Sequence, residues 1–455
     1  MTAHDRRAFL RTIAAASSFG ALAPSLSGLI EFGARTSSAR APRGPGYGSL
    51  RRAGDELTLP EGFRYVRFGV QGDPMSDGSP TPLAHDGMAA FAGPGGDVLL
   101  VRNHEARGRP RATPLAAPEA YDPRGHGGTV TLRVRIGQDG TPTLVSHNWS
   151  LAGTMVNCAG GPTPWGSWLT CEETTLGTAN GYDRPHGYVF EVPARADGRL
   201  AQAQPIRAMG RFVHEAVAVD PATGIVYLTE DASTAGFYRY LPNTPGRLLD
   251  GGRLQMLGIR ESPHRMLVTR QTPGRALPVR WIDIEDPDPA DAEQNPLTVF
   301  AEGYGNGGAL FSRLEGCWYA DGAIYMNATD GGDARCGQVW QYRPSSADDG
   351  TLVLIYESPG RDVLNAPDNI TVSPRGGLVL CEDADGSFVR GLSPDGHIFD
   401  FAENILNGRE FAGACFSPDG RVLFVNTQGD TTVDAPHRNL GMTFAIWGPW
   451  ERGAL

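Results

Sequence analysis

The chain predicts an all-β fold, a ring of hairpin units in the manner of a β-propeller, and three observations carry that expectation. Strand-like apolar runs punctuated by turn residues dominate, with 60 glycines and 35 prolines in 455 residues. Long stretches of helical period are scarce. One pattern also recurs six times: a polar residue, a short apolar strand, a tight turn with glycine, a second apolar strand and a closing polar residue. The turn glycines Gly96, Gly166, Gly224, Gly322, Gly377 and Gly420 stand 70, 58, 98, 55 and 43 residues apart. These irregular spacings are near the length of a propeller blade with insertions.

Taken in order, the first strands open on Asp86, Cys158, Glu215, Glu315, Asp368 and Glu410. The second strands close on Glu105, on the pairs Glu172 and Glu173, Glu230 and Asp231, on Asp330, on Glu382 and Asp383, and on Asn426. The start of one antiparallel strand lies beside the end of its partner. Each hairpin therefore carries its polar residues at one end and its turn at the other, and a ring of six gathers acids, amides and a thiol on one face. Outer strands are expected over 129–136, 188–192, 339–342 and 351–356. Residues 63–68 and 442–446 are placed to pair and close the ring. Residues 248–294, rich in Pro, Asp and Arg, suggest a surface excursion, and 106–127 a second loop. No linker interrupts the chain after about residue 50, so one domain over 42–455 is expected.

All 40 basic residues are arginine. A phosphate-binding loop and a pyridoxal Schiff base each need a lysine, so both chemistries are excluded. The net charge is 40 − 51 = −11, which argues against a nucleic-acid partner. At the N-terminus, Asp5-Arg6-Arg7-Ala8-Phe9-Leu10-Arg11 precedes an Ala-rich apolar run over 12–29. Paired arginines before a modest hydrophobic stretch are expected of a twin-arginine (Tat) signal peptide over 1–41. Ser17, Ser18, Pro24 and Ser25 interrupt the run, so no stable membrane anchor is expected. Recognition by the Tat export machinery and a periplasmic or secreted location follow.

Export permits disulfides, yet Cys171 with Cys381, and Cys317 with Cys415, take equivalent places in different repeats, as small core residues do. Cys158 alone sits at a polar opening position. Glutamates at the ends of core strands are costly without partners. Clustered carboxylates with one thiol suit cations: hard oxygen ligands for calcium, magnesium or ferric iron, and a thiolate for a transition metal.

The run Asn157-Cys158-Ala159-Gly160-Gly161 through Pro164-Trp165-Gly166 to Cys171-Glu172-Glu173 resembles the PhoX-type alkaline phosphatases. So do Asn103-His104-Glu105, His214-Glu215, Arg313-Leu314-Glu315-Gly316, Ala366-Pro367-Asp368-Asn369 and Cys381-Glu382-Asp383. The likeness runs from about residue 60 to the end. It implies a six-bladed β-propeller with an iron and calcium cluster (Fe3+, Ca2+) at one mouth and a metal-bridged oxygen as nucleophile on phosphomonoesters. By position, Cys158, Glu215 and Glu315 would surround iron. Glu172, Glu173, Glu230, Glu382, Asp368 and Glu410 would hold the remaining metals. Arg313 would hold phosphate, with Asn103 or Asn157 giving a further hydrogen bond. This chain is shorter than many such phosphatases, mostly through trimmed loops. Those loops shape the mouth and with it the substrate preference.

The chemistry is coherent on its own terms. Bare carboxylates repel a phosphomonoester dianion, multivalent metals invert that field, and a guanidinium grips phosphate oxygens in pairs. Two other functions stay open at this point: a calcium-dependent propeller lactonase or esterase, and a non-enzymatic binding propeller. The dipeptides His85-Asp86, His104-Glu105 and His214-Glu215 are further candidates as ligands or bases. No G-x-S-x-G run supports a serine hydrolase.

Overall fold

The computed structural model describes residues 46–112, 119–384 and 386–455, all within one compact unit of residues 34–455. The expected signal peptide over 1–41 lies outside the described residues. Among those described, no helix is long and apolar enough to cross a membrane.

All six hairpins form. They pair His85–Ala92 with Val98–His104, Asn157–Pro162 with Ser167–Glu172, and His214–Val219 with Val226–Glu230. The others pair Leu314–Ala320 with Ala323–Ala328, Pro367–Val372 with Leu378–Glu382, and Phe411–Phe416 with Val422–Thr427. Their first strands touch in cyclic order, and the sixth returns to the first. Alternating side chains enter the layers between neighbouring sheets. Trp168, Tyr188 and Phe190 of the second sheet pack with Ala89, Val101 and Leu151 of the first. Phe424 and Ala445 of the sixth pack with Met88, Leu100 and Leu132 of the first. Each large apolar side chain buried this way stabilises the ring by roughly 1.5–3 kcal/mol.

Outer strands widen each hairpin outward. Strands Gly127–Ile136 and Pro142–Thr154 extend the first, and Val189–Pro193 the second. The third carries three more, Phe237–Pro242, Gly252–Ile259 and Ala276–Asp283. The last of these pairs with Gly350–Glu357 of the fourth, so the two join in one nine-stranded sheet. Residues 248–294 are thus no plain excursion. Their prolines, at 263, 273, 278, 287 and 289, fall mostly outside the ladders, which let two strands form. The ring closes where Arg64–Phe68 pairs with Met442–Trp447. The strand Leu57–Pro60 pairs with Ile398–Asn404 of the fifth sheet.

Candidate functional site

The hairpin ends remote from the turns are built alike. In all six the ladder shifts register: between His85 and Met88, Asn157 and Gly160, and His214 and Val217, then between Leu314 and Cys317, Pro367 and Ile370, and Ala412 and Cys415. A β-bulge frees two residues from pairing and re-aims a side chain. The first freed residue is Asp86, Cys158, Glu215, Glu315, Asp368 or, in the sixth hairpin, Gly413. Two residues earlier, Ala84, Val156, Arg313 and Ala366 hold φ of 56°, 47°, 45° and 50°. Such values cost a non-glycine residue ~1–3 kcal/mol unless the surroundings enforce them. The surroundings are backbone bonds: these four carbonyls accept the N–H of Glu105, Glu173, Thr329 and Asp383, each at 2.9 Å, and Val213 accepts that of Asp231 at 3.1 Å. Glycine beside the acids lets neighbouring strands close in: a Cβ on Gly87 would lie 2.5 Å from Ala159 Cα, and one on Gly316 2.7 Å from the Asp368 carbonyl.

The result is two rings of polar residues, one from the bulges and one from just past the second strands. Their ligand atoms come within 4.8 Å of one another in three groups: Glu105, Cys158 and Glu173; Glu215, Glu315 and Asp368; and Asp368, Asp383 and Glu410. Asp86 adjoins the thiol, with Cys158 Sγ 3.8 Å from Asp86 Oδ2 and 3.4 Å from Glu215 Oε1. Gln428 ties Asp86 to Glu105 with bonds of 2.9 and 2.7 Å. Arg107 pairs with Glu105 and Glu173. Arg313 is bidentate on Asp231, at 3.0 and 3.1 Å, and donates to Glu315 at 2.7 Å.

So many acids in little solvent hold one another's protons. Burial, then neighbouring carboxylates, pushes Asp86, Glu215, Glu315 and Glu410 well above the usual range. Burial and Asp383 push Asp368 up to about 7. Burial, then Asp86 and Glu215, raises the Cys158 thiol. Burial opposes the Arg313 charge, but Glu315 and Asp231 outweigh it and hold the guanidinium protonated.

Of the residues singled out from the sequence, the groups unite Cys158, Glu173, Glu215, Glu315, Asp368 and Glu410. Three others turn away into their own sheets. Glu172 accepts from Met155 N, His186 Nδ1, Gly187 N and Tyr188 N. Glu230 accepts from Gly236 N and the Tyr238 hydroxyl. Glu382 accepts from Asn365 N, Phe388 N and Arg390. The cause is the period of two: Glu172, Glu230 and Glu382 are the last paired residues, and the next residue faces the axis. Asn103 is consumed as well, donating to the Cys158 and Ala159 carbonyls and accepting from Trp168 and Thr170. Asn157 bonds Thr154 and Thr170. Both asparagines are fully buried and shape the bulge from behind. His85, His104 and His214 each engage a backbone carbonyl, of Pro82, Leu83 and Gly210. Glu105 and Asp86, candidates only within His-acid pairs, stand in the cluster with Asp383, and Asp231 and Arg107 adjoin it through Arg313 and through Glu105 and Glu173. The signal for Glu105, Asp231 and Asp383 was position: each lies one residue beyond the end of its second strand.

The family model "Alkaline phosphatase PhoX" matches residues 46–430. The chain belongs to the PhoX alkaline phosphatase family. Among solved structures, PhoX of Pseudomonas fluorescens in complex with vanadate, a transition state analogue, aligns at a TM-score of 0.68 with 19% identity. That alignment covers 90% of this chain and 98% of that one, and it supports the β-propeller fold. A gluconolactonase of Xanthomonas campestris aligns at a TM-score of 0.41 with 12% identity, over 88% of this chain and 91% of its own. A putative 6-phosphogluconolactonase of Bacteroides uniformis aligns at 0.36 with 12% identity, over 76% and 95%. No curated protein matches the chain. In this PhoX chain a cleft of about 790 Å³ adjoins the acid cluster at Asp383 and Arg313, and three further arginines line it together with Asp330, Asp362, Glu382 and Asp400.

Proposed function

We propose that this chain is an exported alkaline phosphatase that hydrolyses phosphomonoesters with iron and calcium ions held among the acids at one mouth of a six-bladed propeller. The ring of six hairpins supports the blade count, and the paired Arg6 and Arg7 support Tat export to the periplasm or beyond.

The observation that carries the reading is the donor set. Glu105, Cys158, Glu173, Glu215, Glu315, Asp368, Asp383 and Glu410 converge, and the cations set against them are Arg107 and Arg313. The buried Glu215 Oε2 has no hydrogen-bond partner. A protein that leaves a buried carboxylate oxygen unmatched beside a thiol and further acids fits multivalent ions. The thiol favours iron for the group around Cys158, and the all-carboxylate groups suit calcium. Bound ions would offset the acid charge, polarise phosphoryl oxygens and lower the pKa of water.

The chain's own residues supply binding and orientation. Arg313 is held by Asp231 and Glu315 through Nε and Nη2, which leaves Nη1 for phosphate in the cleft. Its guanidinium plane is fixed, so it meets the equatorial oxygens of a transferring phosphoryl group without reorganising. Asp231 serves as the positioning residue for that plane.

Elemental analysis of exported protein, with p-nitrophenyl phosphate hydrolysis, tests this. Iron and calcium should both be present, and Arg313→Lys should lower kcat/KM by about 10- to 100-fold, because an ammonium cannot keep both Asp231 bonds and face phosphate. Activity that survives extended chelation, or protein with neither metal, would sink the reading.

A further inference from the structure

The cleft beside the acid cluster is lined by four arginines, Arg313, Arg335, Arg361 and Arg390. Three are engaged within the protein. Arg313 serves Asp231 and Glu315, Arg335 pairs with Asp330, and Arg390, almost fully buried, pairs with Glu382 and Asp400. Arg361 makes no ion pair or hydrogen bond with any described residue, and it is exposed at the rim.

The loop that carries Arg361 is built, not loose. Ser358 Oγ donates to the Leu364 carbonyl at 2.6 Å. The Gly360 carbonyl accepts from Val363 N at 3.0 Å, which closes a turn with Arg361 inside it. Val363 and Leu364 are buried against Val339 and Tyr356. Past the turn, Asn365 N donates to Glu382 Oε1 at 2.8 Å. The loop is thereby tied to the strand end that presents Asp383 to the cluster. The backbone that carries Arg361 is thus ordered before any ligand arrives, and only the side chain is left to be fixed on binding.

We propose that Arg361 is a specificity-determining residue that binds a second phosphate on the alcohol half of the substrate, so that the preferred class is phosphomonoesters carrying a second phosphate. This rests on the phosphatase reading above. Arg313 and the acid cluster take the phosphate that is cleaved. Arg361, on the same cleft and without a partner among the described residues, offers a planar fork for the other one. The cleft volume of about 790 Å³ lies within the range that accommodates a small organic ligand of several rings.

The test compares fructose 1,6-bisphosphate with fructose 1-phosphate, by phosphate release from the metal-loaded protein, for the unaltered chain and for Arg361→Gln. The bisphosphate should be favoured in kcat/KM by about 10- to 100-fold, the range of one charge-assisted contact. In Arg361→Gln that ratio should fall to within about twofold, chiefly through KM, as expected for a contact to a part of the substrate that does not react. Arg361→Lys should keep part of the preference. Arg51→Gln, the same change of charge on a strand that does not line the cleft, should keep all of it. Equal use of the two substrates by the unaltered chain, or a ratio that Arg361→Gln leaves standing, overturns the proposal while the phosphatase reading survives. Failure to hydrolyse either sugar phosphate or p-nitrophenyl phosphate overturns both.

Discussion

Glu172 and Glu173 are adjacent acids with opposite duties, and exchanging each for glutamine separates them. The Glu172 carboxylate is fully buried. It accepts from Met155 N at 2.9 Å, His186 Nδ1 at 2.6 Å, Gly187 N at 2.8 Å and Tyr188 N at 3.2 Å. Glutamine keeps one acceptor oxygen and turns an NH2 toward donors on the other side. Two of four bonds are lost, and each bond to a charged group contributes ~1.5–3 kcal/mol. Glu172→Gln should therefore destabilise the metal-free protein by about 3–5 kcal/mol, the range for breaking a buried charged pair. Glu173, in contrast, is bonded to a half-exposed Arg107, a contact worth at most ~1 kcal/mol. Glu173→Gln should leave metal-free stability nearly unchanged and deplete the purified protein of metal. The assays are urea unfolding after chelation and elemental analysis before it. The reasoning fails if Glu172→Gln strips the metal at unchanged metal-free stability while Glu173→Gln retains its full complement.

Two further expectations use the same separation of duties. Cys158→Ser should reduce bound iron and phosphatase activity together, whereas Cys415→Ser, in the layer between the sixth and first sheets, should lower unfolding stability by ~1–2 kcal/mol and leave the iron content alone. His186 stands between Glu172 and Asp122. Burial disfavours its charge, but the two carboxylates win and raise it to about 9. A folded pKa above the ordinary value of ~6.5 means its contribution is complete below that pH and disappears as the pH climbs through about 9. The urea midpoint should fall across this window, and His186→Gln should flatten the fall.

The sequence made the hairpins legible because period-two apolar runs and turn glycines are local signals. That the opening residues Cys158, Glu215, Glu315 and Asp368 share one face followed from antiparallel hairpins set in a ring. What stayed hidden was set by pairing between strands. A bulge is a property of two strands together, so nothing in His85-Asp86-Gly87-Met88 read alone announces that Asp86 and Gly87 leave the ladder. The choice within Glu172 and Glu173, or Glu382 and Asp383, depends on which residue is the last one paired, an uncertainty of one position that reverses the face. Glu410 illustrates the same limit. It matches the other opening acids in sequence, yet the sixth bulge frees Gly413, and Glu410 reaches the cluster from ahead of its strand. Asn103 and Asn157 sit close to cluster residues in sequence, but four and two hydrogen bonds to their own neighbourhood occupy them. The excursion expected at 248–294 became two strands: Gly252–Ile259 extends the neighbouring Phe237–Pro242, and only Ala276–Asp283 also finds a distant edge, that of Gly350–Glu357.

The seam where Arg64–Phe68 joins Met442–Trp447 makes the ring an all-or-none object in time as well as in space. A growing chain emerges N-terminus first, and its strand Arg64–Phe68 waits for a partner that follows all six hairpins. Until Met442–Trp447 arrives, the outer edge of the sixth hairpin and the strand Arg64–Phe68 both stay open. A chain cut before Met442 would carry every acid in the cluster and still present two unpaired edges, the kind of surface that templates aggregation. The quality check on the ring is therefore synthesis through Met442–Trp447.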